Sequence, residues 1–172
     1  MYRVVMICCV LGLANSAVAQ VCQSTIAASA PDARYQVVAG SQGAEVLDVY
    51  TNLIWQRCSV GQQWSGNACL GDAQSLTWVD ALKQVSPPKS GWRVPNIREL
   101  SSLIEDACHD SSINHTIFPN TPAKVYWSSS PSTTNQRAAW SVDFNTGVSG
   151  TPQLKSLSSH LRLVRSASGV TR

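Results

Sequence analysis

The chain has 172 residues, 13 lysines and arginines against 10 aspartates and glutamates, and a formal net charge of +3 at pH 7. An excess this small predicts neither a nucleic-acid nor a membrane-surface partner. Charged residues make up only 13% of the sequence, which suits an exported domain rich in Ser, Thr and Asn.

Arg3, the apolar run from Val4 to Leu13 and the Ala17-Val18-Ala19 cleavage signal predict a secretory signal peptide over residues 1–19. The run is too short for a membrane span. Cleavage after Ala19 removes Arg3, so the charge falls from +3 to +2. Lipid attachment at Cys22 is the competing reading, although Val21 is a poor residue before a lipidated Cys. With no second long apolar run, no membrane insertion is expected, and the protein is placed in the periplasm or outside the cell.

Cys8 and Cys9 lie in the leader, leaving Cys22, Cys58, Cys69 and Cys108. An even number of cysteines in an exported chain predicts two disulfides. Three pairings are possible. Gly61, Gly66 and Asn67 let the chain turn back between Cys58 and Cys69, which favours that pair and leaves Cys22 with Cys108. The C-x-x-C pairs of zinc sites are missing, so no metal is expected there.

Residues 20–42 read as an extended arm held by Cys22, and residues 43–172 as one domain. Val46–Tyr50 and Leu53–Cys58 are apolar and β-prone around Thr51-Asn52, a strand pair with a tight turn. Ser59–Leu76 reads as loop. A first helix is predicted over Trp78–Val85, with Thr77 as N-cap and Trp78, Ala81, Leu82 and Val85 on one face. Pro87 and Pro88 stop it.

Gly91 then opens the run Gly91-Trp92-Arg93-Val94-Pro95-Asn96-Ile97-Arg98-Glu99-Leu100. Trp92 to Pro95 should be extended, because the residue before proline avoids the helical region. Asn96 can cap a second helix with Glu99 at its third position. Ile97, Leu100, Leu103, Ile104 and Ala107 supply its apolar stripe. Glu99 therefore has a structural role at the positive end of a helix, with Arg93 or Arg165 as ionic neighbour. Loop follows to about Val125, then strands at Tyr126–Ser130 and Ala138–Phe144, a turn at Asn145-Thr146-Gly147, loop over Ser149–His160 and a last strand over Leu161–Ser166. In that strand, period-two alternation points Arg165 inward with Leu161 and Leu163, and Arg162 to solvent. Strands, two helices and strands again predict an α+β fold: two helices packed on short, mostly antiparallel strands.

The succession Asp48…Thr51-Asn52-Leu53-Ile54-Trp55, Trp78…Ala81, Trp92 to Leu100, Phe118-Pro119, Tyr126-Trp127-Ser128-Ser129-Ser130, Val142-Asp143-Phe144…Gly147 and Leu163-Val164-Arg165 resembles the Lcl C-terminal domain family over about residues 43–166. That family takes its name from a collagen-like adhesin whose C-terminal domain binds sulfated glycosaminoglycans. It is similar to the C-type-lectin-like and formylglycine-generating-enzyme folds, where an R-x-P-x-x-x-E run also opens a helix. The resemblance implies an exported domain with a C-type-lectin-like fold, and a ligand less directly, since fold does not carry function. Tyr50-Thr51-Asn52-Leu53 departs from the family, which often has Gly before the Leu, and no collagen-like repeat is present.

No catalytic residue is assigned and no enzyme is expected. Ser128–Ser130 offer hydroxyls and His109, His115 and His160 imidazoles, but no G-x-S-x-G elbow links them. The four exported cysteines serve as disulfides, so they are not available for formylglycine-generating chemistry. The Glu-Pro-Asn, Gln-Pro-Asp and Trp-Asn-Asp signatures of calcium-dependent lectins are missing, so no cofactor is expected. Asp143-x-Asn145-x-Gly147 could hold a hard cation with other oxygens, and a hairpin turn explains it more simply. Of the six tryptophans, Trp55, Trp78, Trp92, Trp127 and Trp140 are expected in the core. Trp64, in the stapled loop, could stack on sugar rings. Arg57, Arg137 and Arg162 could form a weak anion surface. The sequence thus predicts a domain that binds a glycan or other surface polymer, or else a partner protein.

Overall fold

A computed structural model describes residues 20–85 and 91–167. The expected leader, the Pro87-Pro88 stop and residues 168–172 lie outside the described residues. In chain order the elements are β1 (Val21–Cys22), a 3-10 turn (Asp32–Arg34), β2 (Tyr35–Val37), β3 (Glu45–Asp48), β4 (Leu53–Gln56), β5 (Gln63–Trp64), β6 (Cys69–Leu70), α1 (Trp78–Lys83), α2 (Ile97–Ser101), β7 (Cys108–His109), β8 (Val125–Pro131), β9 (Ala138–Asp143), β10 (Val148–Leu154) and β11 (Val164–Ser166).

These strands form a four-stranded sheet in the order β11-β4-β3-β2, a three-stranded sheet β10-β9-β8, and two short ladders, β1-β7 and β5-β6. All the pairings are antiparallel. The α+β expectation holds at this level. Both disulfides, Cys22–Cys108 and Cys58–Cys69, are present.

The strand pair follows from composition. Leu53, Ile54 and Trp55 are all buried because both faces of β4 are covered, so the strand is continuously apolar rather than alternating. Trp55 enters a cluster with Val46, Leu100, Tyr126, Val142 and Val164, which joins the two larger sheets and α2. Ile54 packs on the opposite face with Leu47 and Ala167. The turn between β3 and β4 places Asn52 at φ +55°. Asn tolerates this left-handed conformation better than most residues with a side chain.

Both helix starts are capped as the sequence predicts. The Thr77 hydroxyl accepts from the Asp80 N–H at 3.3 Å. Asn96 and Glu99 form a reciprocal capping box. The second helix is shorter than its apolar stripe, however. Ser101 and Ser102 hydroxyls donate back to the carbonyls of Ile97 and Glu99, both at 2.7 Å, competing with helix propagation. Leu103, Ile104 and Ala107 are buried beyond the helix, and Ile104 pairs with Ile113 in an isolated bridge.

The structure corrects several expectations. The span Ser59–Leu76, expected as loop, carries the short antiparallel ladder β5-β6. The arm is part of the fold: Tyr35–Val37 forms the edge strand β2, and the buried Glu105 carboxylate accepts the N–H groups of Ser29 and Ala30 at 3.0 and 2.9 Å. The span expected as loop after Ser149 contains β10, whose Gly150 and Pro152 obscure it. As an edge strand it tolerates proline, and Gly150 lies at a register shift between Ser149 and Thr151. Trp55 and Trp127 are fully buried, but Trp78, Trp92 and Trp140 are only half-buried. The final strand begins at Val164, so alternation from Leu161 fails. Leu161, Arg162, Leu163 and Val164 are all buried.

Candidate ligand-binding groove

The Trp92–Leu100 motif acts as a junction. Arg93 and Val164 exchange backbone hydrogen bonds at 2.9 and 3.0 Å, and the Pro95 carbonyl accepts from Ser129 N–H at 2.8 Å. Arg93 donates to both oxygens of Glu99, at 2.7 and 2.6 Å. Burial works against the Glu99 charge, but Arg93 and the Asn96 N–H outweigh it and hold the carboxyl below its usual range. Arg165 has another partner: its guanidinium donates to Glu45 at 2.6 Å and lies over the Trp92 ring at 5.2 Å. The ionic neighbour of Glu99 is therefore Arg93.

The expected anion surface does not form. Arg162 is 0% exposed. It donates to the carbonyls of Gln56 and Arg57 and to the Thr121 hydroxyl, and its guanidinium stacks over Phe118 at 4.8 Å. Burial pushes its pKa down to about 10. Arg57 spends its guanidinium on the carbonyls of Ile117, Gly43 and Thr116, at 2.6, 3.2 and 2.9 Å. Arg137 is exposed, with its backbone tied to Lys155.

Trp64 is half-buried between Arg57, stacked 4.2 Å from its ring, and Gly43, where a Cβ would come within 3.2 Å of Nε1. Its indole N–H donates to the Gln42 carbonyl at 3.0 Å. This arrangement fastens the stapled hairpin to the loop before β3. The Asp143 carboxylate serves its own turn, accepting from the Asn145 N–H at 2.9 Å and the Thr146 hydroxyl at 3.2 Å. Among the described residues no group of three or more His, Cys, Asp or Glu could hold a metal ion.

A large concavity lies elsewhere, between residues 62–73, which carry β5, β6 and the Cys69 end of a disulfide, and residues 110–124. It has a volume of about 1040 Å³. Gln62 crosses between the walls, donating to the carbonyls of Gly71 at 3.4 Å and Asn120 at 3.1 Å. Gly61 is required behind the first wall. Its φ is +97°, and a Cβ there would stand 2.8 Å from the Asp72 carbonyl and 2.7 Å from the Gln74 nitrogen. Asp110 and Asn120, on the second wall, hold positive φ of 59° and 54°.

Asp72, Asn120, Lys124 and Asn145 line the groove and are exposed. Among the described residues, no hydrogen bond engages their side chains, so their amide, carboxylate and ammonium groups face solvent. Asp110 shares its carboxylate with His109 at 3.1 Å. Leu70 adds an apolar contact, 57% exposed. Ser111 and His115 also meet here, Oγ to Nε2 at 2.6 Å. Ser111 is buried, and burial together with Arg162 lowers the His115 pKa. Among the described residues no carboxylate bonds the other His115 ring nitrogen, the orienting contact on which a Ser-His nucleophile depends.

Of the groove residues, the sequence marks Asn145, through the Asp143-x-Asn145-x-Gly147 turn, and His115, as a loop imidazole. Nothing local marks Asp72, Asn120 and Lys124, beyond the density of Gly, Gln, Ser and Asn in the nearby stapled loop. A smaller cavity of about 460 Å³ borders the arm beside Cys22–Cys108. No helix among the described residues is long and apolar enough to cross a membrane. Comparison with known families matches the Lcl C-terminal domain to residues 44–165. No curated protein matches the chain.

Proposed function

The chain belongs to the Lcl C-terminal domain family, and from that premise we propose that it is an exported, non-enzymatic binding domain that holds a glycan or other surface polymer in the groove between residues 62–73 and 110–124. Two disulfides suggest an oxidising compartment, and the leader expected over residues 1–19 agrees with export. We also assign the antiparallel sheets and two short helices to a C-type-lectin-like architecture.

One observation supports the binding reading above others: a groove of about 1040 Å³ with a mixed lining, in which the side chains of Asp72, Asn120, Lys124 and Asn145 are exposed and free of internal partners among the described residues. Binding sites combine a shaped cleft with a few convergent polar groups. The Cys58–Cys69 disulfide and the Gln62 bridge brace the walls, reducing the ordering cost on binding.

A glycan array probed with the mature protein and with the double variant Asp72→Asn, Asn120→Ala tests this. Retention by the native protein and loss in a variant with unchanged melting is the expected pattern. Equal retention by both proteins would place the site elsewhere. A second reading, binding of another protein, is favoured by Val148 and Leu154, 52% and 45% exposed on the edge strand β10. It predicts no array signal and loss of partner capture in Leu154→Ser.

A further inference from the structure

We infer that the groove accepts an uncharged, hydroxyl-rich oligosaccharide in preference to a sulfated or otherwise polyanionic one. This rests on the glycan-binding reading of the same groove and departs from the ligand implied by resemblance to the adhesin.

Five of the protein's arginines are already engaged within the fold. Arg34 is buried against Asp48, Arg93 is paired with Glu99, and Arg165 with Glu45. Arg57 is consumed by three backbone carbonyls and Arg162 is fully buried. None of these five guanidinium groups lines the groove. Polyanions bind chiefly by exchanging their counterions for several accessible cations, and these arginines are already committed.

The groove carries little positive charge of its own. Asp72 and Asp110 face a single ammonium, Lys124. His115 adds no charge at neutral pH, because burial and the nearby Arg162 lower its pKa. Two carboxylates against one ammonium leave a net negative lining, and a sulfate would meet repulsion at distances that salt screens only in part.

The hydrogen-bonding groups of the lining favour the same ligand. Carboxylates only accept, ammonium only donates, and the Asn120 and Asn145 amides do both. That mixture matches vicinal hydroxyls, each of which donates and accepts. It matches sulfates poorly, because they only accept. Exposed Leu70 can meet the apolar face of a sugar ring. The volume, at the upper end of small-ligand sites, fits several linked units.

Affinity electrophoresis or calorimetry with dextran, cellohexaose, chitohexaose and mannan, set against heparin and dextran sulfate at low and physiological salt, tests the inference. At least one neutral sugar should bind with an affinity insensitive to salt. Asn120→Ala with Asn145→Ala should weaken it by about tenfold, the loss of one or two net hydrogen bonds. Asp72→Lys should gain heparin retention that the native protein lacks. If the native protein binds heparin with steep salt dependence and binds no neutral sugar, the charge argument is overturned while the glycan reading stands. If it binds no sugar at all, both fall.

Discussion

Arg93 and Glu99, six positions apart, form a two-pronged ion pair in which Nη1 meets Oε2 at 2.7 Å and Nη2 meets Oε1 at 2.6 Å. The same Glu99 carboxylate accepts the Asn96 N–H at 2.8 Å. One side chain thus closes a helix cap and anchors the strand that precedes it. Arg93 is 40% and Glu99 17% exposed, so solvent screening limits the worth of the pair. Glu99→Gln should cost about 1–2 kcal/mol of stability and leave sugar affinity per folded molecule unchanged. Thermal melting and calorimetry on one preparation check this. Normal melting with lost binding would make Glu99 a ligand contact.

Acid should unfold the protein through three carboxyls. Burial opposes the charge on Glu99, Asp48 and Glu105, yet hydrogen bonds and, for the first two, an arginine overcome it and hold all three below their usual values. A folded-state pKa below the unfolded one means that the unfolded chain binds more protons in mild acid. The stabilisation is complete above the unfolded values of about 4 and is lost as the pH falls through the folded ones. Denaturant midpoints measured across this range should fall with decreasing pH, and Glu105→Gln should flatten the slope. An unchanged slope in that variant would remove Glu105 from the account.

Arg162 should resist even a lysine. Its planar fork reaches the Gln56 and Arg57 carbonyls and the Thr121 hydroxyl at once, and a single ammonium cannot reproduce that geometry. Arg162→Lys and Arg162→Met should each cost roughly 2–4 kcal/mol, because buried acceptors lose their donors. Chemical denaturation measures this. A neutral outcome for Arg162→Met would show that the acceptors find other donors.

The two disulfides should contribute unequally. Cys22–Cys108 spans 86 residues and Cys58–Cys69 spans 11. On chain-entropy grounds these correspond to about 4–5 and about 3 kcal/mol. Replacing Cys22 and Cys108 with Ala should lower the melting temperature more than the same change at Cys58 and Cys69. The second pair of changes should instead weaken the proposed sugar binding, because it loosens a groove wall. Equal binding in both double variants would show that the wall needs no staple.

Local signals were legible in the residues themselves. Thr77 with Asp80 and Asn96 with Glu99 mark helix starts by spacing, because a cap is a contact over three residues. The Leu53-Ile54-Trp55 run marks a buried strand, and the turn-rich span between Cys58 and Cys69 marks a short disulfide loop. Only tertiary structure decided the rest. Arg162 is buried because the end of β4 at Gln56 and the loops carrying Arg57 and Thr121 converge on it from 41 to 106 positions away, and alternation along one strand carries no record of such partners. Trp64 is held between Arg57 and Gly43, contacts that its stretch of sequence does not reveal. The groove arises where residues 62–73 and 110–124 meet across some forty residues of intervening chain. Exposed Asp72, Asn120 and Lys124 have no local pattern, since polar side chains in loops look alike until the fold sets them side by side.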